Sequence, residues 1–179
     1  MCGIAGAINY YKYDLENTKK SLFHRGPDKQ EIFTRDNIAL VHTRLSIQDI
    51  SSGHQPFHFN GYSIIFNGEI YNHLELREKL TEFKFKTTSD TETLLYLYIK
   101  YKEKSLRMLD GMFAFAIVDF NKNSMFIARD RAGKKPLYLY RDRDSIFFAS
   151  ELNAIKAGVK KLDIDEDSIY SYLRNGFFL

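Results

Sequence analysis

This chain of 179 residues has little of what several functional classes require. It holds a single cysteine, so no internal disulfide forms and no secretory disulfide framework is present. No Cys/His spacing suits zinc, so no metal site is expected. Net charge is only +3, with basic and acidic residues interleaved, which argues against a dedicated nucleic-acid surface. The longest uncharged apolar run, Met112–Val118, falls far short of the ~18 residues a membrane span needs. GIAGAI near the N-terminus is short and has no charge ahead of it, unlike a signal peptide. A cytoplasmic protein with no nucleic-acid or membrane partner is the expectation. A phosphate loop is missing as well, since Gly133-Lys134-Lys135 lacks the upstream glycine and the Ser/Thr that follows it.

What is present is ordinary globular composition, 44% hydrophobic and 27% charged, enough for one domain with a core. CGIAGAINY reads as a buried strand, small and apolar on both faces. Residues 14–24 suit a short helix capped by Asp14, and HRGPD (24–28) a turn. IALVH (38–42) and SIIF (63–66) are strand-like, whereas 73–80 and 91–101 have helical periodicity. Ser89 and Glu92 have capping-box spacing ahead of the second helix. GMFAFAIVDF, SMFIARD, PLYLY and SIFFAS read as an antiparallel meander, with RDRAGKKPLY as a solvated hairpin. Several of these strands are apolar on both faces, so each side of a sheet must be covered. An α+β domain of stacked sheets and helices follows. The tail places Ile169, Tyr172 and Leu173 on one helical face and ends on Phe177-Phe178-Leu179, as if the chain were cut or docked on a partner domain.

The lone cysteine is Cys2, directly behind the initiator methionine. Either it is incidental, or it matters that removing Met1 leaves cysteine as the first residue. A thiol needs a base to become a thiolate near neutral pH, and no single one of the 5 histidines stands out as that partner. An N-terminal cysteine carries its own base, because a free α-amine has a reference pKa of roughly 7.7–8.0, suited to proton transfer at working pH. FNGEIYN (66–72) contains Asn-Gly, ordinarily a hairpin signal, yet the residues after it continue with helical periodicity. At a strand-to-helix junction, Asn67 and Gly68 would offer a side-chain amide and a backbone N–H together, a pair suited to an oxyanion hole. Arg44, among apolar residues at a strand end, is either a surface ion pair or a bidentate clamp for a carboxylate. Asp90 either caps a helix beside Ser89 or pairs with a ligand ammonium.

In combination and in order, MCGIAG, HRGPD, HTRLSIQD, FNGEIYNH, TTSDTE, LDGMFAFAIVD, ARDRAGKKPLY and FFASELNAI resemble the class II glutamine amidotransferase domain, an N-terminal-nucleophile hydrolase. Within it they are most similar to the glutaminase half of the asparagine synthetase family. The resemblance implies a four-layer αββα sandwich of two mainly antiparallel sheets. It implies Cys2 as the nucleophile attacking the side-chain amide of L-glutamine through a thioester, with Asn67 and Gly68 as oxyanion hole. Arg44 would hold the α-carboxylate, with Glu69 and Asp90 near the α-amine. Leu45, Ser46, Ile47 and Gln48 would line the same pocket, largely through backbone. No cofactor is implied in this domain; ATP and Mg belong to the synthetase domain or subunit that accepts the ammonia. The SGG-x-D-S loop of that synthetase has no counterpart here, and SSGHQ (51–55) does not match it. The expected organisation is an amidotransferase domain over 1–160 and, over 161–179, the start of a linker or helix leading to a synthetase, with a homodimer as one arrangement. Aspartate is the expected acceptor. Amidation of a sugar or other carboxylate, hydrolysis of another amide, and a non-catalytic glutamine-binding module are the alternatives.

Overall fold

The computed structural model describes residues 1–46, 53–159 and 161–177. Its strands form two antiparallel sheets. In the five-stranded sheet, β1 (Gly3–Ile8) is central. The edge strand β2 (Lys29–Arg35) pairs with β3 (Ile38–Arg44), which pairs with β1. The four-stranded sheet runs in chain order: β4 (Phe57–Phe59), β5 (Tyr62–Ile70), β6 (Gly111–Asp119) and β7 (Ser124–Arg129). The chain then returns to the first sheet with β8 (Tyr138–Asp142) and β9 (Ser145–Ala149), the latter pairing with β1.

Successive strand residues face opposite sides of a sheet, and here both sides are apolar. Ile4, Ile38, Leu40 and Phe148 of the first sheet meet Ile65, Ala114, Ala116 and Val118 of the second in an inner layer. The outer face of the first sheet, with Ala5, Ala7, Val41 and Phe147, packs under α1 (Leu15–Ser21) and α4 (Leu152–Gly158), which also contact each other. The outer face of the second, with Ile64, Phe66, Phe115 and Ile117, lies under α2 (His73–Glu78) and α3 (Asp90–Tyr101). The result is the four-layer αββα sandwich that the resemblance implies.

Several local expectations are corrected. The four C-terminal strand segments do not make one meander. β6 and β7 pair in one sheet, β8 and β9 in the other. Local alternation marks strands but does not say which of two layers receives them. The RDRAGKK segment between these hairpins is solvated only in part: Arg129, Arg131, Ala132 and Lys134 are exposed, but two of its charged residues turn inward. Asp130 and Lys135 are buried, at 6% and 4% exposure. The Asp130 carboxylate accepts the backbone N–H groups of Phe113, Lys134 and Lys135 at 3.2, 2.9 and 3.0 Å, folding the loop against β6. Ser89 caps α3, its Oγ accepting the Thr91 N–H at 3.2 Å, but Glu92 does not close the capping box. Glu92 is buried and accepts instead from the Lys86 and Thr87 backbone and the Thr87 and Tyr96 hydroxyls, anchoring the loop before the helix. Asn67-Gly68 lies within β5 rather than at its end; the turn to α2 falls at Tyr71 and Asn72. Glycine is required at 68 because a Cβ there would collide with the Met112 carbonyl oxygen of β6. The tail helix exists as α5 (Glu166–Asn175), with no buried residue. The sequence expectations for Ile47, Gln48, Phe178 and Leu179 fall outside the described residues.

Candidate active site

The alternation that builds the inner layer also builds a site at one end of it. Ile4, Leu40 and Ile65 point between the sheets, so at steps of two Cys2, Arg44, Asn67 and Glu69 follow on the same faces. There the layer opens into a cavity of about 200 Å³. Cys2, Arg44, Leu45, Asn67, Gly68, Glu69 and Asp90 all line it, although they are spread over half the chain. Ser46 does not; its backbone N–H donates to the Asp28 carboxylate at 2.7 Å. Met1 lines the cavity beside Cys2.

The Cys2 thiol donates to the Leu45 carbonyl at 3.7 Å. Burial pushes it above the usual thiol range, against the pull of the chain terminus, Arg44 and Arg25. A thiol in this state needs a proton acceptor. No histidine lines the cavity among the described residues. His42, on the same face of β3, is buried and pushed down to about 3, chiefly by that burial, with its ring bonded to the Phe66 carbonyl. It is a neutral packing residue and no base for Cys2.

The outer edge of β5 supplies the donors. Phe113 directs its N–H and C=O to Asp130, away from β5, so its partner Gly68 belongs to a non-hydrogen-bonded pair. The N–H groups of residues 66, 68 and 70 therefore point away from β6. Phe66 donates to Gln55 Oε1 at 2.6 Å and Ile70 to Asp90 Oδ2 at 3.0 Å. Between them, the Gly68 N–H faces the cavity with no partner among the described residues. Beside it Asn67, 1% exposed, holds a buried Nδ2 without an acceptor. Leaving such a donor unsatisfied costs about 1–3 kcal/mol. Two adjacent free N–H donors on one wall are a ready receptor for an oxygen that acquires negative charge.

Charge is divided between the two sheets. Arg44, 5% exposed, comes from the first, with Nη1 3.4 Å from His54 Nδ1. Glu69 and Asp90 come from the side of the second. Burial pushes the Asp90 carboxyl up to about 6; the Ile70 and Thr91 N–H groups oppose this and Glu69 adds to it. A cation on one side and two carboxylates on the other complement a zwitterion.

Comparisons with known proteins give the family and the fold. A family model described as the glutamine amidotransferase domain matches residues 1–179. The chain belongs to that family. It is 39% identical to the Bacillus subtilis asparagine synthetase [glutamine-hydrolyzing] 1 over 97% of its own length, but spans 29% of that relative. It is 38% identical to a putative asparagine synthetase [glutamine-hydrolyzing] 2 of Methanocaldococcus jannaschii, over 99% of this chain and 40% of that one. Among solved structures, the glutamine phosphoribosylpyrophosphate amidotransferase of B. subtilis superposes with a TM-score of 0.70 at 24% identity, over 88% of this chain and 44% of the other. That likeness speaks for the fold.

The amidotransferase domain also holds site residues that spacing and residue type did not single out. Arg25, in the HRGPD turn, donates from Nε to the Cys2 carbonyl at 3.0 Å and from Nη1 to Glu151 at 2.8 Å, fixing the backbone of the first residues. Gln55 clamps β5 to α3 through the Phe66 N–H and Thr91 Oγ1. Lys135 lines the cavity with Met1 and Cys2. In the sequence Arg25 reads as part of a turn and Lys135 as part of a basic run; only the tertiary fold turns them inward.

Proposed function

We propose that this amidotransferase domain hydrolyses glutamine to glutamate and ammonia, with Cys2 as nucleophile once Met1 is removed. The observation that carries the proposal is the pair of unpartnered donors, Asn67 Nδ2 and Gly68 N–H, on the wall of the cavity that Cys2 shares. Glutamine presents two charged ends that match the site. Its α-carboxylate meets Arg44, and its α-ammonium meets Asp90 and Glu69, which leaves the side-chain amide for Cys2. The freed α-amine of Cys2, directly or through a water, takes the thiol proton, and sulfur adds to the amide carbon. Charge developing on oxygen falls on Asn67 and Gly68, already held in place by β5. The protonated amine returns its proton to the leaving nitrogen, ammonia departs, and water releases glutamate from the thioester.

The names of the relatives support asparagine synthesis as the destination of the ammonia, with aspartate as acceptor and a further ATP- and Mg-dependent synthetase domain or subunit as partner. Replacing Cys2 by alanine should abolish release of glutamate and ammonia from glutamine, measured on protein whose mass shows Met1 removed. A form that retains Met1 should be equally inactive although it keeps the thiol. Unchanged turnover in Cys2→Ala would refute the nucleophile assignment.

A further inference from the structure

Lys135 is placed in the cavity with unusual care for a residue of a basic surface run. Its backbone N–H is held by Asp130 at 3.0 Å, and Asp130 is itself fixed to β6 through Phe113. Its side chain reaches inward until Nζ lies 2.7 Å from Met1 Sδ. Only 4% of the residue is exposed. No carboxylate of the described residues lies within ion-pair distance of that ammonium. Burying a cation without a partner is costly, so the fold gains nothing in stability from a lysine at this point. The thioether is a weak acceptor, and it belongs to the residue that leaves.

The other charges around the first residues have partners within the fold. Arg25 is paired with Glu151, which also meets His24. Arg44 lies beside Cys2 at the end of β3, with Nη1 3.4 Å from His54 Nδ1. Asp90 is tied to β5 and Asp130 to its own loop. Glu69 lines the cavity from β5. Burial and the Arg25 guanidinium push the Lys135 ammonium below the usual lysine range, while Cys2, Asp130 and Glu69 oppose that shift. Once Met1 is gone, Lys135 joins Arg25 and Arg44 as a cation near the new terminus, and it is the one with no carboxylate of the described residues within ion-pair distance and no carbonyl of its own to hold.

We propose that Lys135 is a positioning residue for the nucleophile, its ammonium set in the wall so that the amine of a first-residue Cys2 stays unprotonated and its thiolate is favoured. A fixed cation disfavours a second positive charge on the amine and favours negative charge on sulfur. The proton involved passes only from Cys2 sulfur to Cys2 nitrogen; Lys135 keeps its own. The proposal deepens the glutamine-hydrolysis reading and rests on Cys2 being the nucleophile.

The test uses Met1-free protein carrying Lys135→Met, which keeps the length and removes the charge, with Lys135→Gln as a second neutral variant and Lys135→Arg as the rescue. Alkylation of Cys2 by iodoacetamide is followed across pH by mass spectrometry, alongside glutamine hydrolysis. In both neutral variants the alkylation midpoint and the acid limb of kcat/KM should move up by about one pH unit, slowing alkylation near neutrality about tenfold, and the arginine variant should restore both. Superimposable alkylation profiles in the parent and either folded neutral variant would overturn the proposal. A shifted alkylation profile in a parent protein that does not hydrolyse glutamine would leave the charge effect standing and refute the hydrolysis reading instead.

Discussion

Asn67 offers a test in which catalysis and stability should part company. Most buried polar side chains hold the fold through their hydrogen bonds, so removing them lowers both. The Asn67 Nδ2 is buried and has no partner in the free protein. Asn67→Ala therefore breaks no bond from that nitrogen and relieves an unsatisfied donor worth about 1–3 kcal/mol. The void left by the missing atoms offsets part of that gain. The two changes oppose each other, so the net effect should stay within about 1 kcal/mol, or about 2–4 °C in Tm for a chain of this size. In the transition state the same nitrogen faces a developing oxyanion. Its loss should lower kcat by about 10²–10³, near 3–4 kcal/mol, with KM for glutamine little changed. Asn67→Asp keeps the volume but sets an acceptor against that oxygen, and should be at least as damaging. Glutamate release under saturating glutamine gives kcat, and thermal unfolding by circular dichroism gives Tm. If Asn67→Ala kept kcat within about threefold, a difference of less than 1 kcal/mol, Asn67 would not be the oxyanion donor. Parallel collapse of kcat and Tm would make it an ordinary structural asparagine.

Asp90 predicts a pH dependence. Its carboxyl is raised from 3.8 to about 6 in the folded chain, so the fold binds the proton more tightly than the unfolded chain does. Stability from this group is fully present below the unfolded value and falls as pH rises towards 6, by about 3 kcal/mol in all. Substrate binding runs the other way: KM for glutamine should rise as pH drops below about 6 and the anion is lost. Asp90→Asn, which still accepts from Ile70, should raise KM at neutral pH, flatten that dependence and leave Tm unchanged or higher; an unaltered KM would exclude Asp90 from the ammonium site. Gly68→Ala should cost about 1–3 kcal/mol of stability by forcing a methyl into the Met112 carbonyl. Urea denaturation would show it as a lower midpoint at constant slope, and an unchanged midpoint would refute the close approach of β5 and β6.

Local sequence fixed which segments are helix and which are strand wherever periodicity was long. β1, β3, β5, α1, α3 and the C-terminal strand segments could all be placed from alternation, caps and turns. The short strand β4 and the half-exposed β2 carry weaker patterns and went unread. The ordered motifs, more than any single residue, pointed to Cys2, Arg44, Asn67, Gly68 and Asp90. Taken alone each of these has an ordinary structural use, because spacing along a chain does not report distance in space.

Tertiary structure decided the rest. Period-two alternation puts Ile4, Leu40 and Ile65 on one face of their strands, but only the stacking of two sheets makes those faces meet and opens a cavity at Cys2, Arg44 and Asn67. It also separates β6–β7 from β8–β9, draws Glu92 away from its own helix terminus, and buries Lys135 from a stretch that reads as solvated. Side-chain chemistry is local and is written in the sequence; which donors stay unpaired and which charges lose water depends on what packs over them, and that is a property of the assembled layers.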